Sequence, residues 1–350
     1  MNLKIIDLFS GAGGLSLGFE NSGFTTVLAI DKWEDAIKTF NRNHKNPVGT
    51  TIDIHNFTNE EIAKYKDEVV GIVGGPPCQG FSLVGTRDTN DPRNSLYIEY
   101  VRFVNQIKPQ FFVLENVSGL LSLQKGKYKQ DIIHRFNELG YNVNFRLLTA
   151  SSYGVPQSRK RVFFIGLRKD IFENEFFNFD NLPTQNIVST KEAMSDLPEA
   201  ISSNDHIEYS KPPTNNFQKL MRVNSEGVFN HQITNHTAQT KEIIAQVPDG
   251  GGIKDLPEEL YKVRNYNNAF RRMNSKLPSN TIDCGHRNYF HYEKNRVPTV
   301  RESARIQSFP DNYIFMGSKT SQYTQVGNAV PPLLSQTIAT EIKKLIMQYN

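Results

Sequence analysis

Residues 4–18, KIIDLFSGAGGLSLG, decide the fold. A short apolar run ends at Leu8, a glycine-rich turn spans Phe9 to Gly14, and a helical pattern opens directly behind it. Glycines there permit a tight turn and close approach of backbone to a ligand, and the start of a helix offers unpaired N–H groups. The spacing is not the dinucleotide pattern, because Ser16 stands two positions after Gly14 and the next glycine is Gly18. Taken alone, such a turn either holds a cofactor or merely packs a strand against a helix.

The same strand-turn-helix unit recurs to about residue 170. The apolar, β-rich runs predict strands at 4–8, 26–30, 69–73, 111–114, 142–148 and 161–167, with helices at 14–21, 32–43, 96–107 and 129–139. This alternation predicts an α/β fold with a doubly wound, mostly parallel sheet. From residue 174 to 297 Asn, Ser, Thr, Pro, His and Tyr replace the Val and Ile runs, and Pro212-Pro213 and Gly250-Gly251-Gly252 break any long helix. The expected organisation is a catalytic domain over 1–173, a smaller loop-rich domain over 174–297, and a segment over 298–350 that returns to the first domain.

Composition bounds the function. At 350 residues, 38% hydrophobic and 22% charged, the chain has the profile of a folded globular protein with a sizeable core. Two cysteines make no disulfide framework. The start of the chain lacks the pattern of a secretory signal, and no apolar run approaches a membrane span, so a soluble cytoplasmic protein is expected. The net charge of +4 is mild, but residues 262–296 carry eight Lys and Arg against two acids, interleaved with Tyr266, Phe270, Tyr289, Phe290 and Tyr292. A basic, aromatic segment of this kind fits an anionic partner such as nucleic acid.

Three acids follow predicted strands or extended stretches. Asp31 lies eighteen residues past Gly13, where a carboxylate accepts hydrogen bonds from a ribose; Asp53 follows the next extended stretch. An acid in such a place also serves as the cap of the next helix. Glu115, at the end of the 111–114 run, either stands near Cys78 as a proton donor or hydrogen-bond partner or caps a helix. Cys78, in GGPPCQGFS, follows the 69–73 run directly. Pro76 and Pro77 fix two φ angles and aim the residue after them. Flanking Gly, Pro and Gln argue against a buried apolar thiol, and Arg159 and Arg161 are near-strand cations able to favour a thiolate.

These motifs in order, DLFSGAGGLSLGFE, AIDKWEDA, IDIHN, GGPPCQGFS, DPRNSL, ENVSGL, QSRKRVFFIG, RESARIQSFPD and QVGNAVPP, resemble those of the C5-cytosine-specific DNA methyltransferases of prokaryotic restriction-modification systems. The resemblance implies a Rossmann-like fold, S-adenosylmethionine as cofactor and double-stranded DNA as substrate. It implies that Cys78 attacks C6 of a flipped cytosine, that Glu115 acts at N3, and that Arg161 and Arg159 hold the base and the acid. It assigns Phe9, Ser10, Gly11, Ala12, Gly14, Asp31, Lys32, Asp53, Ile54, Pro77, Leu96, Asn328 and Ala329 to the cofactor. The loop 79–94, with Gln79, Ser82 and Arg87, is expected to close over DNA, and Arg271, Arg272, Thr281, Arg287 and Asn288 to contact it.

A cognate restriction endonuclease acting on the same site without direct contact is expected, as is a monomer. Cys284, His286 and His291 invite a zinc reading, but one cysteine at irregular spacing argues against it, and no metal is expected. A tRNA methyltransferase shares the same catalytic motifs, but the middle region lacks the Cys-Phe-Thr element typical of that group. A non-catalytic DNA-binding protein on this scaffold is disfavoured by the joint presence of Cys78, Glu115 and Arg161.

Overall fold

The computed structural model describes residues 3–77, 95–203, 205–261, 270–284 and 289–349. The chain divides into two compact units. Unit 1 is Met1–Thr149, Lys160–Pro183 and Ser335–Asn350, and unit 2 is Ala150–Arg159 and Thr184–Leu334.

Unit 1 is built on one seven-stranded sheet. Its strands are β1 (Lys4–Leu8), β2 (Thr25–Asp31), β3 (Gly49–Thr51), β4 (Gly71–Gly74), β5 (Phe111–Val117), β6 (Tyr141–Thr149) and β7 (Lys160–Arg168), in the order β3-β2-β1-β4-β5-β7-β6. β1 to β5 pair in parallel, and β7 runs antiparallel to both β5 and β6. The first strands step outward from β1 to β3, and the chain then crosses to β4 on the other side of β1. The order therefore reverses between β1 and β4, where open α/β sheets place their ligands beyond the carboxyl ends of the strands.

Both faces of the sheet are covered, which explains why its strands read as continuous apolar runs. Neighbouring residues of β5 show it, since successive side chains point to opposite faces. Phe111 meets Phe19 and Phe24 on one face, with ring centroids 6.1 and 5.9 Å away. Phe112 meets Phe136 and Tyr141 on the other, at 4.0 and 5.3 Å. Helices α1 (Gly14–Asn21), α2 (Glu34–Asn43), α3 (Asn59–Ala63), α4 (Ser95–Ile107) and α5 (Lys127–Glu138) connect the strands. The C-terminal helix Pro332–Tyr349 closes against α1, where Ser335 Oγ donates to the Leu15 carbonyl at 2.6 Å.

Unit 1 extends past the expected boundary at 173. Phe177 and Phe179 are buried, and Asn142 and Asn144 on β6 donate to the carbonyls of Glu175 and Phe177. This tail thus satisfies side chains of an edge strand. The segment 298–334 also departs from expectation, since it belongs to unit 2 and only Ser335 onward joins unit 1. The cause is helix Val300–Ile306, all of whose residues are buried although three are charged. Arg305 pairs with Asp196 and Asp311, Arg301 donates to the carbonyls of Phe229, Pro310 and Tyr313, and Glu302 takes both arms of Arg296 at 2.7 Å. Buried charges demand partners, and here unit 2 supplies them.

Candidate active site

The turn after β1 is shaped by backbone conformations that few residues adopt. Phe9, Gly11 and Gly13 have φ of 60, 53 and 84°. At Gly13 a Cβ would stand 2.2 Å from His44 Nε2, so the left-handed turn and the packing both require glycine. Asp7, the last polar residue inside β1, ties this turn down from below. It is 1% exposed, and its Oδ2 accepts from Ser16 Oγ at 2.6 Å. Burial pushes its carboxyl up to about 7, against the pull of the Ser16 hydrogen bonds. The sequence signal for Asp7 is a carboxylate interrupting a buried apolar run.

Asp31, ending β2, points back at the same turn. Its Oδ2 accepts from Gly11 N and its Oδ1 from Trp33 N, both at 2.9 Å, and burial raises its carboxyl despite these bonds. Each oxygen keeps a further acceptor site for a ligand hydroxyl. Ser10 Oγ is buried without a partner among the described residues, and a Cβ on Gly11 would meet nothing within 4 Å. Ala12 is buried in the turn and Gly14 begins α1. Lys32 is exposed beside Asp31.

Asp53 is exposed and caps the short helix Ile54–Asn56. His55 N and Nδ1 reach its Oδ1 at 3.1 and 2.6 Å, and the imidazole contact holds the carboxyl below its ordinary range. Ile54 spends its side chain in the core, and Leu96 is partly buried against the same cluster.

The position of Glu115 is set by strand register. Glu115 pairs with Phe163 and Val117 with Arg161 across β5 and β7, so Glu115 and Arg161 share a face as diagonal neighbours. Their side chains meet with Arg161 Nε 2.9 Å from Glu115 Oε1, and both are mostly buried. Gly75, just beyond β4, approaches closely; a Cβ on it would stand 2.9 Å from Glu115 Oε2. Asn116 Nδ2 donates to the Pro76 carbonyl at 2.8 Å. That bond anchors the chain ahead of Pro77 to the end of β5. The only sequence signal for Asn116 is its place directly after Glu115 in ENVSGL. Pro77 is exposed, and Cys78, Gln79, Ser82 and Arg87 lie outside the described residues.

Unit 2 holds the remaining assignments. Arg159 is 1% exposed and its Nη2 donates to the Asn328 carbonyl at 3.3 Å. Asn328, exposed, ends helix Lys319–Asn328 and Ala329 caps it. Arg271 and Thr281 are exposed, whereas Arg287 and Asn288 lie outside the described residues.

Arg272 is not a DNA contact. Its guanidinium is buried and donates to the carbonyls of Val247, His291, Lys294 and Ile244 and to Asn295 Oδ1. Those bonds use all the donors an arginine has, so it pins the loop that carries its neighbour Arg271. His291 is likewise spent inside the fold, its Nδ1 accepting from Glu293 N and Lys294 N at 3.0 Å.

A glycine-rich turn, an acid at the next strand end and a carboxylate-guanidinium pair thus gather along the edge of the sheet where open α/β enzymes place their ligands. The family model for C-5 cytosine-specific DNA methylase matches residues 3–344, and the chain belongs to that family. It is 42% identical to the Type II methyltransferase M.DdeI of Desulfomicrobium norvegicum, over 97% of this chain and 88% of that one. It is 38% identical to M1.HphI of Haemophilus parahaemolyticus, over 99% of this chain and 88% of the relative. Among solved structures, a protein described as a DNA modification methyltransferase encoded within an E. coli prophage superposes with a TM-score of 0.83 at 27% identity, over 99% of this chain and all of that one. The S. pombe Dnmt2 methyltransferase shares the fold, with a TM-score of 0.62 at 16% identity over the full length of both chains. The protein is therefore a DNA cytosine-5 methyltransferase. Among the described residues no helix is long and apolar enough to cross a membrane.

Proposed function

We propose that the chain methylates one cytosine within a short duplex recognition sequence and protects that sequence from a cognate restriction endonuclease. The observation that carries this reading is the Glu115–Arg161 pair, set beside the Pro76 turn that leads into Cys78. The same edge of unit 1 carries a cradle suited to S-adenosylmethionine. Asp31 has acceptor capacity for ribose hydroxyls, Ser10 offers an uncommitted hydroxyl, and Gly11 leaves open space. Phe9, Ala12, Gly14, Lys32, Asp53, Ile54, Pro77, Leu96, Asn328 and Ala329 complete the set assigned to that cofactor.

The cofactor supplies an electrophilic methyl group. The chain's own groups prepare the base to take it. A stacked cytosine is out of reach, so it leaves the helix at a cost of a few kcal/mol. The Cys78 thiolate adds to C6, forming an S–C6 bond and pushing electron density to C5. Glu115 meets N3, where negative charge would otherwise build up, and Arg161 keeps that carboxyl from swinging away. Arg159 serves the base O2. C5 takes the methyl group, the C5 proton leaves to solvent or a base, and the S–C6 bond breaks to restore the ring and the thiolate.

Bisulfite sequencing of DNA from a host expressing the protein tests the reading. Protection of one sequence motif at a single cytosine is expected, and its loss in Cys78→Ser. Methylation confined to tRNA, or full activity of Cys78→Ser, would overturn it.

A further inference from the structure

Several contacts meet at the end of helix Lys319–Asn328. The Cys284 thiol donates to Asn328 Oδ1 at 2.7 Å. The Thr324 hydroxyl, one turn earlier, donates to the Cys284 carbonyl at 2.8 Å. Between them Gly327 is pressed against the segment 281–284, so that a Cβ would stand 2.5 Å from the Asp283 carbonyl oxygen. The segment is clamped to the helix end at side-chain and backbone level.

Its other end is held by a relay of buried amides. Gln157 Oε1 accepts from Ile282 N at 3.0 Å, and Gln157 Nε2 donates to Gln307 Oε1 at 2.7 Å. Gln307 Nε2 in turn donates to the carbonyls of Val326 and Ala329 at 2.8 and 3.0 Å. Both glutamines are fully buried. Residues that flank Asn328 and the residue that follows Thr281 are thus parts of one hydrogen-bonded body.

An asparagine amide presents an acceptor and a donor that differ little in shape. Here the thiol meets Oδ1, which leaves Nδ2 as the amide's donor toward a ligand. We propose that Cys284 is a positioning residue for methyl transfer: its thiol orients the Asn328 amide and joins the DNA-facing segment 281–284 to the cofactor-facing asparagine. The inference rests on the assignment of Asn328 to the cofactor and Thr281 to DNA. It makes the second cysteine of the chain functional without giving it any chemistry of its own.

The chain has two cysteines, so a Cys78→Ser background leaves a single thiol to alkylate. In that background, S-adenosylhomocysteine affinity is measured by calorimetry for Cys284, Cys284→Ser, Cys284→Ala and the iodoacetamide-alkylated protein. Cys284→Ala and the alkylated form should bind about three- to tenfold more weakly, the loss of one neutral hydrogen bond, and Cys284→Ser should retain affinity. With Cys78 intact, Cys284→Ala should raise KM for the cofactor and leave kcat unchanged, at an unaltered melting temperature. Undiminished affinity in both Cys284→Ala and the alkylated form would overturn the proposal. Asn328→Ala separates the two layers. If it binds normally, the cofactor assignment fails and the proposal with it; if it binds weakly while Cys284→Ala does not, only the role of Cys284 fails.

Discussion

Arg161 Nε lies 2.9 Å from Glu115 Oε1 because β7 runs antiparallel to β5 and sets Arg161 one diagonal step from the acid. In a parallel pairing the register would differ and the contact would have to be rebuilt from a loop. Glu115→Gln keeps the shape and removes the ionisable group. Methyl transfer in a single turnover should fall on the order of a hundredfold or more, with the melting temperature little changed. If the two residues act as a unit, Arg161→Ala added to Glu115→Gln should cost far less than Arg161→Ala alone. Additive losses would show independent roles.

Gly75 lies against the Glu115 carboxylate, and Gly75→Ala places a methyl 2.9 Å from Glu115 Oε2, inside ordinary contact distance. The expected result is a kcat reduced about tenfold or more through displacement of the acid, with S-adenosylhomocysteine affinity preserved. Loss of both together would mean the turn as a whole had moved.

Arg271 and Arg272 are adjacent and should fail differently. Arg272→Ala takes a donor from each of four carbonyls, of which those of Ile244 and Lys294 keep a backbone N–H, and should lower the stability of unit 2 by about 3 kcal/mol. Arg271→Ala should leave stability within about 0.5 kcal/mol and weaken duplex binding, reducing the slope of log K against log salt by about one. Urea unfolding and salt-titrated binding of both variants check this.

The two units should respond to pH with opposite sign. Burial raises the Asp7 carboxyl from its ordinary 3.8 to about 7, so the folded state holds a proton that the unfolded chain has lost. Its contribution is present below about pH 4 and is lost as pH rises toward 7. Asp7→Asn should therefore gain on wild type by on the order of 2 to 3 kcal/mol between pH 5 and pH 8. In unit 2, burial lowers His231 and His291, which favours folding above their ordinary 6.5 and withdraws that support as pH falls below it. Burial alone would raise Glu302, but His291 and Arg296 outweigh it and hold it well below the usual range, adding a loss below about 4.5. Denaturant midpoints of wild type and Asp7→Asn across pH 4 to 8 read the first effect. His231→Gln should flatten the acid-side loss.

Much of this was legible from local pattern. β1, the Gly14–Asn21 helix and the apolar start of β5 follow from apolar runs broken by glycine or acid, and these place the turn and Glu115, although β5 runs on through Glu115 to Val117. The short β3 reads in the sequence only as an extended stretch ahead of Asp53, because its residues are mostly exposed and carry no apolar signal. Helix Lys319–Asn328 escaped because KTSQYTQVGN has no apolar stripe. It is held by side-chain bonds instead, among them Tyr323 to the Pro298 carbonyl and Gln325 to the Met316 carbonyl. Arg272 looked like a DNA contact because sequence shows charge without showing where the donors go. The Gln157–Gln307 relay links residues 150 positions apart and has no trace in any local window.

Helix Val300–Ile306 has a consequence for anyone who would transplant target preference from one such enzyme to another. A cut at residue 297 looks natural in the sequence, but it severs Arg301 from the Phe229 carbonyl and Arg305 from Asp196, stranding charges in a dry interior. A chimera that exchanges the whole of Ala150–Arg159 and Thr184–Leu334 carries every one of those partners with it. The smallest interchangeable cassette in this molecule is defined by where its buried arginines find oxygen, and it ends at Leu334.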